Sequence, residues 1–564
     1  MKKTFLLTLV MVMASMAYGQ STVKSRAGQD FNNLCRQSVN FIDPIAAQRG
    51  MVMPKADGPT QEYITTQPEG ELKTYVRSGE YVSSVMGGLV EGSQNGKTMK
   101  VVFAPDGKTV WFDKMIAASS ATFGWIKGEI EGNNIIIEPG QYAWFYDYVS
   151  YYLAYTVKRI VPNPNGSASS YDTYMTSEGN IVFSIGEDGT LTLQPDENGV
   201  AAIGLIRETN DQWYVDNGYD GKWLGYGDMN TVYTPFEENF NEGPAEGTEM
   251  QDCSMTYNAD VEGTTRMGHM AKMAVVGDKV YIQGASQYLP NAWLIGQIDG
   301  DKVVIDKQMT GVLDNYYVYF RGAEVVKQQN PETGEDEYFY SPIDQLVFDY
   351  DAANQTLTTE DCLVLSTDEF MVAEGYMVPE INLFEDVPMQ PATPIVGEDY
   401  IPYDADYGSF YITVCVPSVD VDGKFLDPSK LTYSVYVDDE LFTFDPSFYF
   451  YFEQPVTEIP YGYYEDYRFQ NLGAGRYAIE INKEPTTNVC VKSFYAGGGA
   501  VTESEMGVFN LPQTGIATIN SSQVKSVTYY NLAGMRSDTP FSGMNIVVKT
   551  YEDGTTSTTK MIRK

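Results

Sequence analysis

Short segments with a period of two dominate the pattern of apolar and polar residues along the chain. Clear examples are residues 97–103, 411–416 and 546–551, which are rich in Val, Ile, Phe and Tyr and are bounded by Gly, Asp or Asn. β-Branched and aromatic residues in such segments suit a pleated, half-buried sheet. A 3.6-residue apolar repeat of helical length is hard to find. The pattern therefore predicts an all-β protein.

One part of this pattern occurs twice. Residues 124–137 read Gly-Trp-Ile-Lys-Gly-Glu-Ile-Glu-Gly-Asn-Asn-Ile-Ile-Ile, and residues 292–305 read Ala-Trp-Leu-Ile-Gly-Gln-Ile-Asp-Gly-Asp-Lys-Val-Val-Ile. Trp125 therefore matches Trp293 at an offset of 168. Each copy predicts a β-hairpin, because Gly in the turn supplies the positive φ that a tight turn requires.

We interpret the repeat as two homologous antiparallel β-domains, at residues 81–235 and 250–385. Each domain is a β-barrel or a β-sandwich, because both arrangements hide the edges of a long meander; periodicity does not distinguish them. Gly128 and Gly296 lie inside predicted strands, which indicates a bulge or close packing beneath the Trp of each hairpin.

A third β-region follows a proline-containing linker at residues 386–396. This region, residues 390–511, contains short strands with Tyr and Phe but no Trp, and its size suits an immunoglobulin-like sandwich. It resembles a fibronectin type III-like module, and its segments 420–439, 457–461 and 492–499 resemble segments of large secreted proteins of Bacteroidales. The resemblance implies a spacer or surface module rather than a chemistry.

Both ends of the chain have patterns typical of exported proteins. Residues 1–19 combine two lysines, an apolar run and Ala-Tyr-Gly, which predicts a secretory signal peptide cleaved near Gly19. Residues 20–80 then form an N-terminal segment. Residues 514–564 resemble the C-terminal sorting domain of type IX secretion substrates, with Tyr-Asn-Leu-Ala-Gly-Met-Arg, Gly-Met-Asn-Ile-Val and a basic end, although Asn545 stands where the family usually has Tyr. This resemblance implies the type IX secretion machinery as a partner, and a protein that is secreted or lies on the outer cell surface.

Composition narrows the classes of function. The 76 Asp and Glu residues against 37 Lys and Arg give a net charge of −39, which argues against a nucleic-acid ligand. The single His, His269, cannot form a multi-histidine zinc site. The five cysteines include no Cys-x-x-Cys pair, and no apolar run is long enough to predict a transmembrane helix. We therefore expect no catalytic residue, no metal site and no cofactor.

One acidic segment partly resembles a calcium loop. Residues 418–429 have some of the spacing of an EF-hand, but Ser429 stands where a bidentate Glu is needed. We interpret Asp422 and Gly423 as a hairpin turn instead.

Aromatic runs are the candidate binding elements. Exposed rings next to Asp or Asn can stack on sugars while the polar groups fix the orientation of the ligand. The best such stretch is residues 210–223, in which Trp213, Tyr214 and Trp223 are the candidate ligand-binding residues. The alternative is cross-strand aromatic pairing inside the sheet. Further aromatic runs lie at residues 144–148, 316–320, 448–452 and 461–464.

Together these patterns predict a non-enzymatic exported or cell-surface protein that binds a glycan or a protein partner through one of the repeat domains. Two alternatives stay open. The abundant carboxylates allow a secreted glycoside hydrolase that uses a pair of acids. The domain plan also allows a purely structural surface protein.

Overall fold

The regular secondary structure of the computed structural model is almost entirely β-strand, which confirms the predicted all-β fold class. The structure describes residues 24–25, 64–85, 88–116, 124–148, 151–166, 173–177, 179–196, 199–208, 223–331, 334–405, 408–464, 468–473, 475–512, 524–530, 536–537, 539, 543–551 and 556–563. Within these ranges, nothing helical has the length and apolar character needed to cross a membrane.

The strands between residues 71 and 235 form a closed barrel with a side sheet. Its strands are β2 Glu71–Val85, β3 Gly88–Ser93, β4 Lys97–Phe103, β5 Thr109–Asp113, β6 Trp125–Glu131, β7 Asn134–Ile137, β8 Gln141–Tyr148, β9 Tyr151–Pro162, β10 Tyr174–Ser177, β11 Ile181–Ile185, β12 Leu191–Leu193, β13 Ala202–Glu208 and β14 Trp223–Pro235. Eight antiparallel strands close the first barrel in the order β2-β4-β5-β6-β7-β11-β12-β14 and back to β2. The side sheet extends from β14 through β13 to β9, which also pairs with β8 and β10, while β3 pairs with β2.

The strands between residues 251 and 383 repeat this order of pairings. They are β15 Gln251–Asn258, β16 Arg266–Val276, β17 Lys279–Gln283, β18 Trp293–Asp299, β19 Lys302–Asp306, β20 Gln308–Leu313, β21 Tyr316–Gln329, β22 Asp336–Pro342, β23 Gln345–Asp351, β24 Thr356–Thr358, β25 Cys362–Thr367 and β26 Val372–Leu383. The second barrel closes as β15-β16-β17-β18-β19-β23-β24-β26 and back to β15. Its side sheet runs from β26 through β25 to β21, which pairs with β20 and β22. A two-strand parallel contact joins β22 to β1, Lys24–Ser25.

The repeat hairpins thus belong to barrels rather than to sandwiches. The first barrel starts at Glu71, ahead of the start predicted at residue 81. Eight strands leave an interior just wide enough for side chains to fill, and both interiors are packed with buried apolar residues. Successive side chains of a strand point to opposite faces of the sheet. One face of each strand therefore supplies this core.

The glycines inside the repeat hairpins lie against aliphatic side chains. A Cβ on Gly128 would come within 2.7 Å of the Ile135 side chain, and one on Gly296 within 2.2 Å of Val303. The predicted close packing is present, but its partner is the return strand rather than the Trp. Residues three apart in a strand, such as Trp125 and Gly128, point to opposite faces.

The hairpin turn between β20 and β21 joins the two barrels. Asp314 and Asn315, between β20 and β21, have positive φ values of 47° and 66° and form a tight turn. The carbonyl of Asn315 accepts a hydrogen bond of 2.6 Å from the Thr98 N–H of β4, and its side chain accepts one of 2.9 Å from Lys114. Tyr316 pairs with Lys97. The turn therefore rests directly on the wall of the first barrel.

The third unit is a sandwich of two antiparallel sheets. Its strands are β27 Ile395–Asp404, β28 Ser409–Cys415, β29 Leu431–Val437, β30 Glu440–Leu441, β31 Ile459–Pro460, β32 Phe469–Gly473, β33 Arg476–Ile481, β34 Asn488–Tyr495, β35 Thr502–Glu503 and β36 Gly507–Asn510, with a 3₁₀ turn at Pro428–Lys430. One sheet has the order β27-β28-β33-β32, and the other has β30-β29-β34-β35, with β31 on β29 and β36 on β34. Buried Tyr and aliphatic residues fill the space between them.

Ser418 of this sandwich forms hydrogen bonds with the second barrel. Strand β17 ends at Gln283, opposite Lys272, while β16 continues to Arg266. There the Ser418 hydroxyl accepts a hydrogen bond of 2.9 Å from the Gly268 N–H and donates one of 3.1 Å to the Gly268 carbonyl. Both backbone groups of Gly268 are thereby satisfied by a neighbouring unit.

A small sheet lies near the C-terminus. Its strands are β37 Val524–Tyr530, β38 Arg536–Ser537, β39 Gly543–Tyr551 and β40 Thr556–Arg563, in the order β38-β37-β39-β40. All three pairings are antiparallel.

Candidate functional site

The structure places one of the three predicted ligand-binding residues in a core. Trp223, at the start of β14, is 2% exposed, and its indole Nε1 donates a hydrogen bond of 2.8 Å to the Tyr226 carbonyl. Its ring lies 4.8 Å from that of Tyr174. Trp213 and Tyr214 lie outside the described residues, so their role stays a prediction. Trp223 itself has the burial of a core residue.

Polar residues gather instead at one end of the second barrel. Tyr257 lies next to the end of β15, His269 near the start of β16, and Glu374 and Tyr376 near the start of β26. In an antiparallel barrel these positions share an end. We call Tyr257, His269, Glu374 and Tyr376 the mouth cluster.

Glu374 fastens the loop after β17 to this end of the barrel. Its carboxylate accepts hydrogen bonds from the Gln287 N–H at 3.0 Å, from the Tyr288 N–H at 3.1 Å and from the Ser286 hydroxyl. Burial raises the pKa of Glu374, while these donors and the Tyr376 hydroxyl lower it. One carboxylate therefore orders three successive loop residues.

His269 lies beneath the same loop. Its Nε2 is 3.0 Å from the Gly284 carbonyl, which can only accept, so this nitrogen carries the proton and donates the hydrogen bond. Its ring centroid is 6.0 Å from that of Tyr257 and 5.5 Å from that of Tyr376. Burial, the largest effect, lowers the pKa of His269 to about 4. The imidazole is consequently neutral near pH 7.

The hydrogen bonds of the mouth cluster do not run in the direction that a catalytic triad requires. In a triad the His accepts the proton of the nucleophilic hydroxyl. Here the Ser286 hydroxyl donates to Glu374, and His269 donates to a backbone carbonyl. A group with a pKa of about 4 is also a weak general base at neutral pH. The contacts instead hold a loop over the end of the barrel.

We predict that His269 makes the second barrel less stable in acid. The pKa is about 4 in the folded protein and 6.5 without its surroundings. Between these values the unfolded chain binds more protons, so the stability present above pH 6.5 is lost as the pH falls toward 4, by up to about 1.4 kcal/mol per pH unit. Urea denaturation of the wild type and His269→Gln at pH 7, 5.5 and 4.5 measures this contribution. The wild type should lose stability faster than the variant on acidification; parallel losses would contradict the prediction.

The first barrel carries a buried ion pair at the positions that match Met255 and Tyr376 of the second barrel. Arg77 faces Tyr233 and Lys97 across its two neighbouring strands, just as Met255 faces Ile381 and His269 in the second barrel. Arg77 Nε lies 3.1 Å from Asp228 Oδ2, with side chains 1% and 0% exposed.

Backbone and hydroxyl oxygens complete the surroundings of this buried guanidinium. Arg77 Nη2 donates to the Glu80 carbonyl at 3.0 Å and to the Thr231 hydroxyl at 3.5 Å, and Nη1 donates to the Gln94 carbonyl. A buried ion pair needs such additional hydrogen bonds to offset the loss of water. Periodicity did not reveal this group, because a single Arg and a single Asp among many charged residues carry no signal.

The acidic segment at residues 418–429 contains a turn that the Asp420 carboxylate stabilises. The Asp420 carboxylate accepts hydrogen bonds of 2.9 Å from the Asp422 N–H and 2.8 Å from the Lys424 N–H, and Gly423 has a φ of 82°. The interpretation of this segment as a turn thus agrees with its geometry.

In the part of the chain that the structure describes, no group of three or more His, Cys, Asp or Glu side chains could hold a metal ion. The described cysteines are buried and unbridged, namely Cys253, Cys362, Cys415 and Cys490.

Strongly exposed aromatic rings lie on the sandwich. Phe450 is 60% exposed, Tyr451 67% and Tyr464 66%. They belong to two of the aromatic runs noted in the sequence, but residues 448–451 form turns rather than a strand. By contrast, the run at 316–320 lies in β21 and is largely buried on both faces.

Comparison with known proteins gives no further guide to this site. No protein-family model matches the chain, and a search of curated proteins finds no match.

Proposed function

We propose that this chain is a non-enzymatic binding protein that is exported and acts at the outer cell surface. The observation that carries the proposal is the direct joining of its folded units. The Asn315 turn bonds to β4 of the first barrel, and Ser418 bonds to both backbone groups of Gly268 in the second. Such contacts suit an arm that holds a binding surface in a fixed position.

The surroundings of the polar groups support a non-enzymatic role. In the mouth cluster, Glu374 and His269 use their hydrogen bonds to hold a loop. In the first barrel, the Arg77–Asp228 pair is almost completely buried. A catalytic group has to reach substrate, and these groups contact the protein's own backbone and side chains instead.

The C-terminal region supports the outer-surface location. The two-sheet topology of residues 395–510 suits the fibronectin type III-like resemblance, and the four-stranded sheet of residues 524–563 suits a separate sorting-like unit. The predicted signal peptide, residues 1–19, and the negative charge agree with an extracellular protein. A purely structural surface protein would share these features, but it would self-associate without binding a ligand.

We predict that deletion of residues 514–564 leaves the protein in the periplasm. The signal peptide would still direct passage across the inner membrane, while the sorting-like unit would be missing. Cell fractionation and protease treatment of intact cells measure the location. Asn545→Tyr, which restores the usual residue of the family, is the matched control and should keep the protein at the surface. Unchanged surface display of the deletion variant would contradict the sorting role.

A further inference from the structure

Three strongly exposed rings lie on two segments of the sandwich, and the proposed function does not yet explain them. We define the aromatic surface as Phe450, Tyr451 and Tyr464, which are 60%, 67% and 66% exposed. Burying such rings is a main driving force for folding, so their exposure on an otherwise well-packed unit is costly. Large exposed apolar side chains that lie close together mark interaction sites.

The loop that carries two of these rings is anchored from below. Tyr449 is fully buried, and its hydroxyl donates a hydrogen bond of 2.6 Å to the Glu480 carbonyl. The N–H groups of Phe448 and Tyr449 both donate to the Asp445 carbonyl, at 3.0 and 2.9 Å. With Tyr449 fixed in the core, the next two residues are held at the surface.

A guanidinium supports the exposed Phe. Arg468 lies 4.3 Å from the ring centroids of both Phe448 and Phe450, a distance typical of cation–π contacts. Its Nε is 3.5 Å from Glu480 Oε2, and it also donates to the Phe448 carbonyl. Phe450 is therefore held in place on one side while it stays 60% exposed.

The second segment is stacked against the first. The rings of Phe452 and Tyr463 are 4.7 Å apart with an interplanar angle of 13°. Their chain neighbours Tyr451 and Tyr464 are the most exposed of the three rings. The two segments that carry the three exposed rings are thus held side by side before any ligand arrives, which lowers the entropic cost of binding.

The charged residues that are close to the three rings in the chain favour an uncharged ligand. Glu453 and Glu458 are exposed on the same stretch of chain, so an anionic polymer would be repelled. Arg468 beside Phe450 disfavours a cation over that ring. Carboxylates and Tyr hydroxyls can instead accept hydrogen bonds from sugar hydroxyls while the rings stack on the apolar faces of the sugars.

We infer that the aromatic surface of the sandwich binds a neutral glycan chain. This inference rests on the proposed role as an exported binding protein and moves the binding site from the repeat domains to the sandwich. Two neighbouring segments that together present three rings suit several successive sugar units of a chain.

Affinity electrophoresis of the mature protein through gels that contain starch, xylan, mannan or mixed-linkage β-glucan tests the inference. Wild-type protein should be retarded by at least one of these polysaccharides. The triple variant Phe450→Ala, Tyr451→Ala and Tyr464→Ala should bind it at least about tenfold more weakly, because all three stacking partners are gone. Tyr451→Phe, which keeps the ring, should stay within about threefold of the wild type.

Matched controls come from the same unit. Leu441→Ala and Val508→Ala truncate residues that are 49% and 50% exposed elsewhere on the sandwich, and both should bind like the wild type. Circular dichroism and surface display of the triple variant should be unchanged, which separates loss of the glycan site from loss of folding or export.

Three results would overturn the inference. The first is that none of these neutral polysaccharides retards the wild type. The second is equal retardation of the triple variant. The third is binding of poly-L-lysine, or of heparin, that depends on the three rings while neutral glycans do not bind, since the surface would then serve a charged partner. Surface display is measured separately, so the proposed export function can stand when the glycan site fails.

Discussion

Replacing Asp228 with Ala is expected to destabilise the first barrel by about 3 to 5 kcal/mol. The carboxylate lies 3.1 Å from Arg77 Nε, and both side chains are within 1% of full burial. Without it the guanidinium keeps its charge, because Arg does not deprotonate in proteins. The carbonyls of Gln94 and Glu80 still accept hydrogen bonds from the guanidinium, but they carry no full negative charge. The penalty therefore comes from a buried cation without its counter-ion.

The second barrel supplies the matched control for this prediction. Met255 occupies the position of Arg77, and Tyr376, five residues before Ile381, occupies that of Asp228, five residues before Tyr233. The double variant Arg77→Met and Asp228→Tyr removes both charges and should recover most of the lost stability, since apolar replacements of buried ion pairs are often neutral.

Hydrogen exchange of the β2 and β14 amides during urea denaturation measures the stability of the first barrel separately. We expect the first barrel to be about equally stable in the wild type and the double variant, and much less stable in Asp228→Ala. If the double variant is as unstable as the single one, packing rather than charge accounts for the loss.

The local parts of the fold could be predicted from the sequence. The hairpin at residues 124–137 and its copy at 292–305 both form, because Trp, Ile and a turn Gly specify strand and turn over a few residues. Closure of each barrel depends on distant pairings such as β2 with β14. Periodicity carries no information about which strand lies beside which, so barrel and sandwich could not be distinguished.

The exposure of aromatic residues could not be predicted for the same reason. Trp223 lies in a run rich in Asp and Asn, yet its ring packs against Tyr174, far away in the sequence. Tyr449 and Phe450 are adjacent in one aromatic run, but the first is fully buried and the second 60% exposed. Which ring enters the core is decided by partners such as Glu480, which the local pattern does not contain.

Replacing Phe183 with Ala is expected to destabilise the first barrel by about 3 to 5 kcal/mol as well, through loss of packing rather than charge. Phe183 is fully buried in the barrel interior. Its ring centroid is 5.5 Å from that of Phe112 and 5.4 Å from that of Tyr233, with interplanar angles of 29° and 22°. Truncation removes both stacked contacts and leaves a cavity between strands that the closed barrel prevents from collapsing.

Phe348 is the matched residue of the second barrel. It is also fully buried and faces Val303 as Phe183 faces Ile135. The positions that match Phe112 and Tyr233 are occupied by Ile282 and Ile381, which the register of the neighbouring strands identifies.

Phe348→Ala therefore loses buried area without these two aromatic contacts. Because an aromatic pair adds about 0.5 to 1.5 kcal/mol beyond its area, Phe183→Ala should be the more destabilising by about 1 kcal/mol or more. Chemical denaturation monitored by hydrogen exchange in each barrel separates the two losses. A loss at Phe348 equal to or larger than that at Phe183 would show that cavity shape, rather than ring stacking, determines the stability of these barrels.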